Sequence, residues 1–396
     1  VTSSHPGHPR AVVWGTYDLG KPRTRILIRG LREAGVPLTE CHAEIWAGVE
    51  DKASLKSASQ ILRRLAKMLV AYPWLIWRYL RLPRHDVVIV GYMGHLDVLL
   101  LWPWARLRGN PVIWDAFLSL YETVVEDRAM LSPRHPLARL LWFWDWLACR
   151  AADRVLLDTA AHARWFESCF GLRSGRTASV FVGVEPEAFP PLALPSPKRP
   201  ETPRRILFYG QFIALHGIDS IIDAAARSDP REFAWTLIGT GQEAARIRAR
   251  LAARPIPHLE WIEWVPYGEL RERIAQADIC LGIFGQSGKA ARVIPNKAFQ
   301  IVAAGRPLVS RDSPAMREWI GKGQAGIRLV ASGDPEALLA GIRDLVASGE
   351  TALDPSAFQR LRTPIAPAAI GSRLLALMRG LTDAASRGAG MEISRS

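Results

Sequence analysis

Cysteine is scarce in this sequence: residues 41, 149, 169 and 280 lie far apart, with no CxxC pair and no histidine at metal-ligand spacing. Neither a disulfide framework nor a zinc module is expected, and a reducing, cytoplasmic compartment is. Long hydrophobic runs are missing too. The longest uncharged stretch in the most apolar region, "MLVAYPWLIW" (68–77), is too short to cross a bilayer and contains Pro73. The N-terminal "VTSSHPGHPR" has no apolar run of the signal-peptide kind. No Asp-x-Asp pair of the sort that holds a metal-bound diphosphate occurs, so no metal ion or other resident cofactor is expected. Recognition-helix, zinc-finger and aromatic-sheet signatures are absent, which argues against nucleic acid as a partner. Negative charge is in deficit. With 51 Lys and Arg against 38 Asp and Glu, the net charge is +13, and the partners that charge alone favours are anionic: nucleic acid, phosphorylated small molecules or an acidic membrane face.

What is present is a repeated alternation. At 396 residues and 49% hydrophobic content the chain has material for more than one core. Apolar β-rich runs at "AVVWG" (11–15), "DVVIVGY" (86–92), "PVIWDAF" (111–117) and "DRVLLDT" (153–159) are separated by helical stretches that include 21–35, 95–108 and 160–171. Runs that are apolar throughout predict parallel strands covered on both faces. The prolines of "EPEAFPPLALPSPKRPETPRR" (185–205) exclude a regular helix or a central strand. The alternation then resumes with "RILFYG" (205–210), "WTLIG" (235–239), "LEWIEWV" (259–265), "DICLGIF" (278–284), "PLVS" (307–310) and "GIRLV" (326–330). The expected organisation is a Rossmann-like domain over 1–184, a Pro-rich linker over 185–204, a second Rossmann-like domain over 205–365, and a C-terminal helix and flexible tail over 366–396. In this α/β class, two doubly wound parallel sheets facing a cleft, ligands lie beyond the carboxyl ends of the strands.

The loops there carry the candidate residues. In "WGTYDLGKPRT" (14–24), Gly15 and Gly20-Lys21 approximate a P-loop, but Pro22 replaces the hydroxyl residue that would hold magnesium. A helix starting at Pro22 beside Gly20, Lys21 and Arg23 suits an anion instead. Asp115 closes an otherwise apolar strand, where an acidic residue is costly unless exposed or hydrogen-bonded, and a cleft role as hydrogen-bond acceptor or general base is expected for it. Asp158, Thr159 and His162 read as a helix cap, and His95 and Asp97 as a helix start.

In the second half, "YGQFIALHGIDSIIDAA" (209–225), "IGTGQE" (238–243), "WVPYGELRERIAQADICL" (264–281) and "IPNKAFQIVAAGRPLV" (294–309) follow one another in the order and spacing of glycosyltransferase family four, the retaining group 1 enzymes of the GT-B fold. The first half resembles that family through "GTYDLGKPR", "LLDTAAH" (156–162) and "VFVGVEPEAF" (180–189). The resemblance implies a nucleotide-diphosphate-sugar donor on the second domain, a saccharide or lipid-linked acceptor on the first, and retention of anomeric configuration. It implies donor contacts from Gly210, Gln211, Gly217, Gly239, Gly241, Val265, Ile294, Pro295, Asn296, Lys297 and Gln300, with Gly15, Gly20 and Lys21 added from the first domain. It also implies that the acceptor hydroxyl loses its proton to the leaving phosphate oxygen, so that the protein chiefly positions and stabilises.

This sequence departs from the family at informative positions. Gln211 and His216 stand where Arg and Lys commonly face the diphosphate, Arg292 and Gln300 where two Glu commonly lie eight residues apart, and Asp115 where a His is common. Gln300 retains hydrogen-bonding capacity towards a ribose hydroxyl without the charge-assisted strength of a carboxylate. Departure of the diphosphate needs positive charge or aimed N–H groups. "GQSGKAARVIPNK" (285–297) supplies Lys289, Arg292 and Lys297, so the cationic role is expected to have moved there, with His216 assisting. A catalytically inactive sugar-nucleotide-binding protein of the same fold is the alternative. Finally, "ILRRLAKMLVAYPWLIWRYLRLPR" (61–84) flanks a Trp- and Leu-rich body with cations, as expected of a segment lying on the inner face of an anionic membrane, and "RLLWFWDWLACR" (139–150) forms a second aromatic cluster.

Overall fold

The computed structural model describes residues 7–46, 58–193 and 202–393. The chain forms two compact units. The first comprises Val1–Tyr121, Arg134–Gly183 and Ala366–Ser396, and the second Glu122–Pro133 and Val184–Ile365.

The first unit holds a six-stranded sheet of β1 (Ala11–Gly15), β2 (Leu38–His42), β3 (Val87–Val90), β4 (Val112–Asp115), β5 (Arg154–Leu157) and β6 (Thr177–Ser179). Its order is β2-β1-β3-β4-β5-β6, and every pairing is parallel, with Val12 opposite Val88 and Val90 opposite Trp114. Successive residues of a strand face opposite sides. Val12, Trp14, Val88, Val90 and Trp114 therefore enter one core with the helices Ala58–Arg81, His95–Leu107 and Pro136–Ala151, while Val13, Ile89, Ile113 and Leu156 enter another with the helix Pro22–Glu33 and the C-terminal helix Pro367–Ile393. Burial on both sides is why β1, β3 and β4 read as unbroken apolar runs.

β2 and β6 were not legible as such runs. They are edge strands whose residues, Cys41 apart, are at most half-buried. The C-terminal helix lies against Pro22–Glu33 so closely that a Cβ on Gly371 would sit 1.8 Å from the Gly30 carbonyl oxygen. That contact packs the helix Pro367–Ile393 onto the first unit.

The second unit holds β7 (Arg204–Tyr209), β8 (Phe233–Ile238), β9 (Leu259–Ile262), β10 (Ile279–Leu281), β11 (Leu308–Arg311) and β12 (Ile327–Val330), all parallel, in the order β12-β11-β10-β7-β8-β9. The chain runs outward from β7 through β8 to β9, and outward on the other side from β10 through β11 to β12. The topological switch point thus falls between β7 and β10, and a doubly wound sheet opens its crevice beyond the carboxyl ends of that pair. Of the expected linker, residues 194–201 lie outside the described residues, and β7 begins at Arg204. No described helix is long and apolar enough to cross a membrane.

Candidate active site

Two loops meet at the switch point of the second unit. The loop after β7 passes through Gly210, Gln211 and His216 to Gly217, and the loop after β10 runs from Gly282 to Ser287. Phe284 N–H donates to the His216 carbonyl at 3.0 Å, and Gly285 N–H to the Leu215 carbonyl at 3.2 Å. Gly217 lies directly against the Phe284–Gly285 backbone. Gly239, after β8, has φ +150, and a Cβ there would fall 1.9 Å from the Gly210 carbonyl oxygen, so this position tolerates glycine alone. Gly241 abuts the Phe212 backbone in the same way. These glycines bring three loops to one place.

Behind the loops stands the helix Asn296–Ala303, entered through buried Ile294 and Pro295, with Pro295 at its N-cap. Asn296 is exposed and Val265, beyond β9, is partly exposed. Lys297 points inward. It is 6% exposed, its Nζ lies 3.7 Å from the centroid of the Phe208 ring, and a Cβ on Gly210 would lie 2.7 Å from that Nζ. The ammonium has no hydrogen-bond partner among the described residues. Burial without a counter-charge pushes its pKa well below the ordinary lysine value. Cation–π attraction to Phe208 offsets only part of that penalty. A buried ammonium in a switch-point crevice is chemically suited to an anionic ligand.

His216 shares this pocket, edge-on to Phe208, with its Cε1 3.1 Å from a notional Gly210 Cβ. Its Nδ1 is hydrogen-bonded to the Gln211 carbonyl. A carbonyl only accepts, so Nδ1 carries the proton, and a neutral ring leaves Nε2 as an acceptor. Burial and then the nearby Lys297 push its pKa well below the ordinary histidine value. His216 therefore adds no positive charge at neutral pH. Gln300, one turn beyond Lys297, accepts a hydrogen bond from the Tyr209 hydroxyl at 3.0 Å. Burial keeps that phenol protonated by raising its pKa well above the ordinary value.

Lys289 and Arg292, expected to meet the diphosphate, are engaged by protein groups. Both sit on the short helix Gly288–Arg292, but their side chains engage the segment Glu122–Asp127, which belongs to this unit. Arg292 donates from Nε and Nη2 to Glu122 Oε1 at 3.0 and 2.7 Å and from Nη2 to Glu126 Oε2 at 2.8 Å, and Glu122 is fully buried. Lys289 Nζ donates to Thr123 Oγ1 at 2.8 Å, and Ser287 Oγ to Asp127 Oδ1 at 3.2 Å. Carboxylates some 170 residues away in sequence neutralise the cation that was expected to meet the diphosphate. Of the three expected cations, Lys297 is the one whose side-chain nitrogen has no hydrogen-bond partner among the described residues.

Asp115, expected in a cleft role, is likewise engaged by a protein group. It lies in the first unit at 0% exposure, and Arg23 donates to its carboxylate from Nε at 2.8 and 2.9 Å and from Nη2 at 2.6 Å. Arg23 also donates to the Val180 carbonyl at 3.1 Å. Burial pushes the Asp115 carboxyl up and Arg23 opposes that push, leaving a closed ion pair instead of an accessible base. Arg23 is thereby removed from the anion site expected beside Gly20 and Lys21. Gly20 N–H donates to Asp18 Oδ1 at 2.8 Å, Lys21 is the N-cap of Pro22–Glu33, and Gly15, with φ +124, makes room for the Asp97 carboxylate. Asp97 accepts from Thr16 N–H at 2.8 Å and the Tyr72 hydroxyl at 2.7 Å. Thr159 caps the helix Ala160–Phe170 by accepting from His162 N–H, and the His162 ring is bonded to Asp158 at 2.8 Å, as the capping reading expected.

The residues that the sequence did not single out are Tyr209 and the cluster Glu122, Thr123, Glu126 and Asp127. Tyr209 is the last residue of β7, and alternation along that strand is its only signal. Nothing local marks Glu122–Asp127.

Residues 203–348 match the family model of glycosyl transferases group 1. No curated protein matches the chain. Among solved structures, sucrose-phosphate synthase from Thermosynechococcus elongatus superposes with a TM-score of 0.69 at 15% identity, covering 95% of this chain and 100% of that one. Anabaena HepE in complex with UDP-glucose gives 0.63 at 12% identity, covering 95% and 100%. The lipopolysaccharide outer core galactosyltransferase WaaB gives 0.61 at 16%, covering 94% and 99%. The chain thus has the two-sheet GT-B glycosyltransferase fold, and its second unit carries the group 1 match across the crevice that holds Lys297.

Proposed function

We propose that the protein is a retaining glycosyltransferase of family four that transfers a hexose from a nucleotide-diphosphate sugar to a saccharide or lipid-linked acceptor, in glycan or cell-envelope polysaccharide assembly, acting in the cytoplasm at the inner face of the membrane. The observation that carries this reading is the unpartnered, buried Lys297 ammonium at the switch point, inside the segment that matches glycosyl transferases group 1. A diphosphate seated there gives Lys297 its missing counter-charge and restores its protonated form. Charge that develops on the departing nucleoside diphosphate is then met by Lys297 and by backbone N–H groups at the start of Asn296–Ala303. Gln300, which accepts a hydrogen bond from Tyr209, bonds a ribose hydroxyl in this reading. His216 holds the turn through Gln211 and presents a neutral ring edge to the donor. In this reading the leaving-group charge is carried by the protein and no metal ion is required, which transfer in the presence of EDTA tests.

A thermal-shift screen of UDP-, GDP- and dTDP-sugars tests the donor, beginning with UDP-glucose because a neighbour of this fold binds it. The expected result is a rise in Tm with one nucleotide class, followed by sugar transfer or slow donor hydrolysis, since a ligand of the native state stabilises by mass action. Absence of any shift with all three overturns the proposal. The pairing of Arg292 with Glu122 and Glu126 favours a second reading, a binding protein without turnover. Donor stabilisation with neither hydrolysis nor transfer selects it.

A further inference from the structure

We infer that the outer surface of three helices in the first unit, Ala58–Arg81, His95–Leu107 and Pro136–Ala151, is a docking face for an anionic lipid membrane. All three cover the same face of the sheet. Tyr72, Leu75 and Tyr79 from the first helix, Val98, Leu101 and Ala105 from the second, and Ala148 and Cys149 from the third enter one core with Trp14, Val90 and Trp114. The first helix touches the second and the second touches the third, so their outward sides lie side by side. A helix with one side on a core should be polar on the other. This one is not: on Ala58–Arg81 the residues turned away from the sheet include Leu69, 77% exposed, Val70, 75%, Trp74, 43%, and Trp77, 50%. Trp102 and Leu107 extend the apolar surface on the second helix, and Leu140 and Phe143 on the third. Apolar side chains scattered singly need no explanation, but a layer of them marks a contact surface.

Charge selects the partner. The three helices carry two carboxylates, Asp97 and Asp145, both buried at 1% and 0% exposure. Exposed Arg63, Lys67, Arg81, Arg106 and Arg139 stand among the apolar residues. The guanidinium of Arg81 lies 4.0 Å from the Trp77 ring centroid, and that of Arg78 lies 5.2 Å from Trp74, which sets cations level with the indoles. A membrane interface offers acyl depth for Leu and Val, headgroup level for Trp, and anionic phosphate for Arg and Lys. Nucleic acid offers the phosphate without the depth. The inference deepens the lipid-linked acceptor proposed above and rests on that reading for what docking achieves, though not for docking itself.

The test is co-sedimentation of the full chain with vesicles of phosphatidylcholine alone and with one third phosphatidylglycerol, at low and physiological salt. Binding is expected to the anionic vesicles only and to weaken with salt. Leu69→Gln combined with Trp77→Gln should reduce partitioning at least a hundredfold. Arg63→Gln with Lys67→Gln and Arg81→Gln should reduce it roughly fivefold per cation removed. All five side chains are exposed, so unfolding midpoints and the donor-induced Tm shift should remain at wild-type values. No sedimentation with anionic vesicles at low salt overturns the inference. So does binding that the variants leave undiminished, or a soluble dimer that the Leu69 and Trp77 substitutions convert to monomer without any vesicle binding. A donor shift without vesicle binding removes this inference alone, and vesicle binding without a donor shift removes the proposed function alone.

Discussion

Beyond the carboxyl ends of their strands the two units treat buried charge in opposite ways. In the first, Asp115 and Arg23 close on each other, and Asp97 is held by Thr16 and Tyr72. In the second, Arg292 closes on Glu122 in the same manner, but Lys297 is left buried without a partner. A satisfied buried pair holds structure together and leaves nothing for a ligand. An unsatisfied buried ammonium costs stability in the ligand-free protein and is retained where an anion relieves the cost. Under the proposed function the contrast assigns ligand chemistry in the second unit to Lys297, and it can be broken at four points.

The largest effect is expected at the closed pair. Asp115→Ala leaves Arg23 as an uncompensated buried cation and should lower unfolding free energy by about 3–5 kcal/mol in urea titration. A loss of activity with unchanged stability would instead return Asp115 to the reaction. Next, Lys297→Met should lower donor turnover about a hundred- to thousandfold, while the ligand-free protein unfolds at an equal or higher temperature. The pH dependence has a definite sign. The folded state holds the Lys297 proton less tightly than the unfolded chain, so between its depressed pKa and the ordinary value of about 10.4 stability rises with pH. Lys297→Met should flatten that rise, and an unchanged profile would show that the amine is not the buried group described here.

Arg292→Ala should act as a structural change, lowering stability by about 1–3 kcal/mol because Glu122 loses its partner. Rescue of stability, but not of turnover, by combining it with Glu122→Gln would restore Arg292 to the donor site and blur the contrast. The smallest effect is a gain. Gln300→Glu should tighten nucleotide binding by about 1 kcal/mol through a charge-assisted bond to ribose, read by calorimetry, with no gain towards the 2′,3′-dideoxy nucleotide.

Central strands were readable because burial on both faces demands runs such as "DVVIVGY" and "DICLGIF". Edge strands β2, "LTECH", and β6, "TAS", carry no such demand and were not readable. The glycines were legible as loop residues, although Gly239 and Gly241 serve backbone approach to Gly210 and Phe212. Lys289, Arg292 and Lys297 looked equivalent in the sequence. Nothing in "GQSGKAARVIPNK" distinguishes a cation that meets Glu122 from one that meets no carboxylate.

The sequence by itself determined the parallel α/β character of both halves, the chain order of their central strands and the basic excess, because these follow from local apolar patterning and composition. Tertiary structure alone decided which cations keep their charge available, which end of the chain completes the first unit, and which helix sides stay apolar towards solvent. Those outcomes depend on what lies within a few ångströms in space, and the deciding partners lie as far apart in sequence as Arg23 and Asp115 or Glu122 and Arg292.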